Sequence, residues 1–117
     1  LLTLIIFFSI TSRMTSCDIP LTQWFVYLVE NKFGHWYCGV TTDVERRFAE
    51  HQADGKLTAK ALKGKGPLRL QHVVTCTNKR TAMQIEYWVK QLSKAQKIAW
   101  VAQRKECPFP CSQYSFK

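Results

Sequence analysis

Five side chains stand out for what their types and spacing could do. Tyr27 and Tyr37 lie ten residues apart, Arg47 lies ten further on, and His51 follows one helical turn later. Glu86 is the only carboxylate between Gly55 and Lys105. Two phenols, a guanidinium, an imidazole and a carboxylate can between them hold an anion and exchange protons. Each also has an ordinary structural role open to it. The tyrosines suit core strands with a solvated hydroxyl. Arg46 and Arg47 with Glu50 are spaced for i,i+3 and i,i+4 ion pairs on a solvated helix face. His51 alone reads as a surface histidine, and Glu86 is placed to pair with Lys90 in the favourable orientation. A second feature is basic. Lys56, Lys60, Lys63, Lys65, Arg69, Lys79 and Arg80 occur between Gly55 and Ile85 with no acid among them. Gly64 and Gly66 let backbone approach a phosphate closely; a flexible, solvated loop is the alternative.

The elements that must position these residues follow from local pattern. Gln23 to Glu30 is aromatic and β-branched, the composition of a buried strand. Asn31-Lys32-Phe33-Gly34 carries turn chemistry, and His35 to Val40 forms the second arm of a hairpin. Thr42 and Glu45 fit a capping box that opens a helix to about Ala53. Val44 and Phe48 share one face of that helix, while Arg47 and His51 project together from another. Gly55 to Pro67 reads as a loop, or a short helix around Thr58 to Leu62. Leu68 to Thr77 alternates as a third strand. Asn78 caps a long helix to about Leu92, in which Ile85, Val89 and Leu92 form an apolar stripe, and Ser93 caps another to about Gln103. The tail from Cys107 reads as irregular. The expected architecture is α/β (α+β): a small, three-stranded, mostly antiparallel sheet flanked by helices, with a core over about residues 23–103.

The chain of 117 residues allows one domain, and 46% apolar content supplies a core. A formal net charge of +9 points to an anionic partner, nucleic acid first. Five cysteines are an odd number in a chain that needs no staples, which favours a reducing cytoplasm over an exported disulfide scaffold. Cys107 and Cys111 form one pair with no second pair nearby, too few for a structural zinc site. The apolar opening, Leu1 to Ile10, is too short to span a bilayer and has no basic residues before it. The expectation is that residues 1–13 are upstream sequence and that the domain runs from Met14 to Lys117.

At these positions the sequence resembles the GIY-YIG nucleases. Val26-Tyr27-Leu28 matches the first family motif and Tyr37-Cys38-Gly39 the second. Thr41 to Arg47 with His51 looks like the helix that supplies the family's arginine and histidine. Lys60 to Leu68 and Glu86 to Leu92 look like the small stand-alone branch called UPF0213, related to the nuclease domain of the UvrC repair protein. The resemblance covers about Trp24 to Trp100. It implies metal-dependent cleavage of phosphodiester bonds, DNA favoured over RNA, probing structure or damage in repair or recombination. Glu86 would hold a single Mg²⁺ or Mn²⁺, since one carboxylate with waters and a phosphate suits a hard octahedral cation. Arg47 would bind the phosphate. Tyr27 and Tyr37 would orient or deprotonate the attacking water, and His51 would hydrogen-bond a tyrosine or the phosphate. Lys56, Lys60, Lys63, Lys65, Arg69 and Lys90 would track the nucleic-acid backbone. A module that binds nucleic acid without cutting it is the alternative. The chain departs from the pattern at Val40, where the repair relatives often place lysine, and after Glu86, where several family members carry an asparagine. Cys38 fills a position the family usually makes apolar and reads as a packing residue.

Overall fold

The computed structural model describes residues 22–114; the expected upstream segment 1–13 and the start at Met14 lie outside the described residues. Strand β1 (Trp24–Glu30) and strand β2 (Trp36–Thr41) form an antiparallel hairpin in which Tyr27 pairs with Gly39 and Val29 with Tyr37. Gly34 supplies the positive φ of 81° that the turn between them needs. Helix α1 (Val44–Ala53) follows, then a single 3₁₀ turn (Lys60–Leu62) within the basic loop. Strand β3 (Arg69–Cys76) pairs antiparallel with β1, with a register shift at Leu28/Val29. Helices α2 (Lys79–Lys90) and α3 (Lys94–Val101) come next.

Two expectations change. Helix α1 is capped by Asp43, not Thr42: the Asp43 carboxylate accepts from Arg46 N at 3.1 Å, and Thr41 Oγ1 accepts from Asp43 N at 3.1 Å. A carboxylate is the better partner for the positive helix end, and β2 runs on through Thr41 to deliver it. The sheet also has four strands rather than three, in the order β2-β1-β3-β4, because Ser112–Gln113 of the tail adds a short antiparallel edge (β4) along Val74 and Thr75. Tyr114 extends this edge, donating its backbone N–H to Val73 O at 2.9 Å and packing edge-on to Phe25 at 4.9 Å. The other caps form as expected. Asn78 accepts from Thr81 N, and Ser93 with Gln96 makes a reciprocal capping box.

The sheet separates two cores. Alternation along β1 sends Val26 and Leu28 to one face, where Cys38, Val74, Ala82, Ile85, Val89 and Trp100 join them. The other face takes Phe25, Tyr27 and Val29, with Val44, Leu62, Leu68 and Val73. Helices α2 and α3 therefore cover one face, while α1 and the basic loop cover the opposite one. No helix of the described residues is long and apolar enough to cross a membrane.

Candidate functional site

Tyr27, Tyr37 and His51 converge on the α1 face of the sheet. Their rings form a triangle, with centroids 6.3 Å apart for Tyr27–Tyr37, 5.9 Å for Tyr27–His51 and 5.8 Å for Tyr37–His51. Gly39 makes this possible. It stands on β2 opposite Tyr27, and a Cβ there would overlap the Tyr27 ring and hydroxyl. The second motif thus keeps a glycine because the tyrosine of the first lies across it.

The hydrogen bonds of His51 fix its tautomer. Ala59 N donates to His51 Nδ1 at 3.2 Å, and the Tyr27 hydroxyl lies 2.9 Å from Nε2. A backbone N–H can only donate, so Nδ1 is bare and the neutral ring carries its proton on Nε2, which then donates to Tyr27 Oη. His51 is buried, at 1% exposure. Burial, with the Arg47 charge adding, pulls its pKa down to about 4, so the ring is neutral at pH 7. His51 is thus an interior hydrogen-bond donor to a tyrosine, one of the two partners the family resemblance implies, and not the surface histidine that its residue type alone suggests.

Arg47 leaves α1 one turn before His51. Its Nη1 donates to Glu50 Oε1 at 2.8 Å and to Leu57 O at 2.6 Å, while Arg46 Nη1 donates to Glu50 Oε2 at 2.7 Å. The Glu50 carboxyl is held below its ordinary value, chiefly by the hydrogen bond from Arg47. The helix-face ion pairs are therefore real, and they also hold the guanidinium beside the tyrosine. Burial pushes the Tyr27 phenol above its ordinary value and Tyr37 adds to this, while the neighbouring Arg47 pulls the other way. At rest Tyr27 is a phenol, with its oxygen already accepting from His51.

Glu86 is not part of this cluster. It stands on α2, whose buried residues pack on the opposite face of the sheet. Its carboxylate, 18% exposed, lies 3.3 Å from Lys90 Nζ. It is near enough to Cys38 that its charge adds to burial in pushing that thiol up to about 12. Among the described residues no hydrogen bond or ion pair joins Glu86 to either tyrosine, Arg47 or His51. Helix α2 packs on β2, which carries Tyr37 and is an edge of the sheet among the described residues, so the carboxylate and the tyrosine cluster approach the same strand from opposite faces. Lys90, expected to meet nucleic acid, is engaged with Glu86.

The basic loop is stitched to α1 rather than free. Thr58 Oγ1 donates to Glu50 O and accepts from Gly55 N, Gly64 N donates to Asp54 Oδ1, and Gln52 bonds the Leu68 backbone in both directions. Lys56, Lys60, Lys63 and Arg69 are exposed and Lys65 is half-buried. Among the described residues none of them forms an ion pair. The roles of Leu57, Thr58 and Ala59 in holding Arg47 and His51 escaped sequence reasoning. They act through backbone carbonyl and N–H groups or a buried hydroxyl, which leave no periodicity or motif to read.

Fold and site together define a class. Residues 23–99 match the GIY-YIG catalytic domain, and the chain belongs to that family. Within it the relatives are UPF0213 proteins. The chain is 56% identical over 80 residues to the UPF0213 protein of Vibrio campbellii, covering 68% of this chain and 75% of that one. It is 55% identical over 75 residues to the UPF0213 protein VPA1222 of Vibrio parahaemolyticus, covering 64% and 69%. Among solved structures it is similar to the solution NMR structure of the UPF0213 protein BH0048 from Bacillus halodurans. That match has 40% identity and a TM-score of 0.46, and covers 70% of this chain and 85% of the other.

Proposed function

We propose that this protein is a metal-dependent endonuclease that hydrolyses phosphodiester bonds of DNA at branched, nicked or damaged sites, in a reducing cytoplasm. The observation that carries the reading is the relay Ala59 N–H to His51 to Tyr27, with Arg47 alongside. It directs a fixed imidazole N–H and a cation at one phenol oxygen. A tyrosine is a poor base at pH 7 unless its anion is stabilised; Arg47 and the His51 N–H favour that anion, while burial outweighs them and keeps Tyr27 a phenol at rest. Tyr27, a phenol whose oxygen is held by the His51 N–H, orients the attacking water; it takes that water's proton only once its own proton has passed to solvent, and the His51 N–H then holds the phenolate oxygen. Tyr37, across the ring triangle, orients the water. Arg47 holds the phosphate with a guanidinium already positioned by Leu57 O and Glu50, so charge that grows in the transition state meets a fixed donor.

Glu86 is the residue that would hold a divalent cation. Among the described residues there is no group of three or more His, Cys, Asp or Glu able to cage a metal. One carboxylate fits a cation that keeps most of its waters and takes phosphate oxygens as ligands, which describes Mg²⁺ and Mn²⁺. When bound, such an ion polarises the scissile phosphate and stabilises the leaving 3′ oxygen.

A second reading has its own observation. Glu86 is satisfied by Lys90 and out of contact with the tyrosines, which suits a binding module that no longer cuts. One experiment separates them: labelled branched, nicked and single-stranded DNA, and RNA, incubated with Mg²⁺ or Mn²⁺ against chelator. The nuclease reading expects cleavage that chelator abolishes. It also expects Glu86→Gln to abolish cleavage while binding stays equal or tightens, since a negative charge has left a basic surface. No cleavage by the wild type on any substrate, with Glu86→Gln binding and melting like it, would establish the binding module.

A further inference from the structure

The turn between β1 and β2 exposes an aromatic ring that the fold does not use. Phe33 is 61% exposed. Among the described residues, the aromatic and cationic neighbours of its ring are its own turn's: Lys32 Nζ lies 5.3 Å from the centroid and the His35 ring 6.4 Å away. Yet the backbone beneath it is fixed from four directions. Asn31 Oδ1 accepts from Phe33 N at 2.8 Å and His35 N at 3.1 Å, and Asn31 N donates to His35 O at 2.9 Å. Gly34 O accepts from Lys94 Nζ at 2.6 Å, and Lys32 N donates to Lys65 O at 2.9 Å. An exposed aromatic on a pinned turn is a rigid surface that loses little entropy on contact.

Its surroundings name the occupant. Lys32 and Arg69 line a cleft of about 410 Å³ beside the turn, together with Glu30, Asn31, Gly34 and Pro67. Glu30 is engaged by Gln71 at 2.8 Å. Lys32, over the ring, and Arg69, in the cleft beside the turn, form no ion pair among the described residues, and neither does Lys65, whose backbone joins the turn. The bond to Lys65 makes the turn continuous with the basic loop that α1 holds at the tyrosine cluster. Tyr37 is four residues along the chain, at most about 14 Å of extended backbone away. A π-face among unpaired cations, beside a phosphate-binding track, matches a nucleobase on its sugar–phosphate backbone. An apolar protein partner would leave those cations buried and unpaired.

Resting on the proposed function, we propose that Phe33 is a stacking platform for an unpaired base, which directs this chain to nucleic acid with at least one unstacked nucleotide near the cut rather than to continuous duplex. A base inside an intact duplex has no free face to offer the ring.

The test compares Phe33→Ala, Phe33→Leu and Phe33→Trp with the full-length wild type, by anisotropy on a labelled single strand, a forked duplex and a blunt duplex of one length. Loss of one stacked base weakens binding roughly tenfold. The Ala and Leu variants should therefore lose about that much on the single strand and the fork, and nothing on the blunt duplex. Phe33→Trp should bind like the wild type, and the salt slope should not move in any variant, because no phosphate contact is lost. Equal losses on all three substrates, or retention by Phe33→Leu, would overturn the platform while leaving the nuclease reading intact. Failure of the wild type to bind any of the three would overturn both.

Discussion

Acid should unlock the site from within, and the size of the effect follows from His51. Its imidazole has an ordinary pKa near 6.5 and is pulled down to about 4 in the fold. The neutral ring accepts from Ala59 N at Nδ1; protonation would set two donors face to face on a buried ring. The unfolded chain binds this proton more readily, so unfolding is favoured as pH falls below 6.5, and the loss levels off below about 4. With those two values the loss at pH 5 is about 2 kcal/mol relative to pH 8. His72, also lowered by burial, pushes stability the same way, so the wild-type curve alone cannot isolate His51. Urea unfolding at pH 5, 6, 7 and 8 should be run on the wild type and on His51→Gln, whose side-chain amide can still donate toward Tyr27 and cannot titrate. The variant should be less stable at pH 8, where it lacks the fitted ring, but its stability should fall by about 2 kcal/mol less between pH 8 and pH 5. Parallel curves for the two proteins would refute the tautomer argument and the buried, neutral histidine with it.

Gly39→Ala should destabilise by about 1–3 kcal/mol, the usual cost of overpacking, because the new Cβ overlaps the Tyr27 ring; thermal melting reads the loss. Restoring most of it with Gly39→Ala/Tyr27→Leu would show that the clash is with Tyr27, and no recovery would place it elsewhere. Changing Lys63 and Lys65 together to Ala should weaken binding of all DNA sequences about equally and make the salt dependence shallower. Loss on one sequence only would mean that these lysines read bases.

How far the sequence foretold this arrangement depended on the kind of signal each part leaves. Strands β1 to β3 announce themselves by aromatic and β-branched runs, and α2 and α3 by Asn78 and Ser93 at their caps. Strand β4 does not, because two residues beyond a proline-rich segment carry no alternation; they pair only because β3 offers an open edge. The tyrosines, Arg47 and His51 were legible as a set through their spacing. What they do to one another was not. The tautomer of His51 rests on the backbone of Ala59, and the pose of Arg47 rests on Leu57 O and a Glu50 whose pairing looked like ordinary surface chemistry. Glu86 was legible as the lone acid in a basic stretch, but the sheet face its helix covers depends on a crossover that no local pattern encodes.

The position of Glu86 also says what a productive complex has to accomplish. The tyrosines, His51 and Arg47 occupy one face of the sheet and Glu86 reaches from the other, so β2 lies between the group suited to a cation and those suited to the water. Among the described residues strand β2 is a sheet edge, with no further strand beyond it. On the proposed nuclease reading, a phosphate lying against that edge would meet Arg47 from one face and a cation held by Glu86 from the other. Before it arrives, each charge is occupied: Arg47 by Glu50, Glu86 by Lys90. The resting site is therefore internally neutralised, and substrate must compete with two ion pairs. Single ion pairs along one helix, half-buried at Arg47, Glu50 and Glu86, are modest interactions, and a dianionic or metal-bearing ligand would compete with them. On the proposed nuclease reading, this arrangement would keep the groups apart until a nucleic acid brings them together, along the same strand that leads back through Tyr37 to the exposed ring of Phe33.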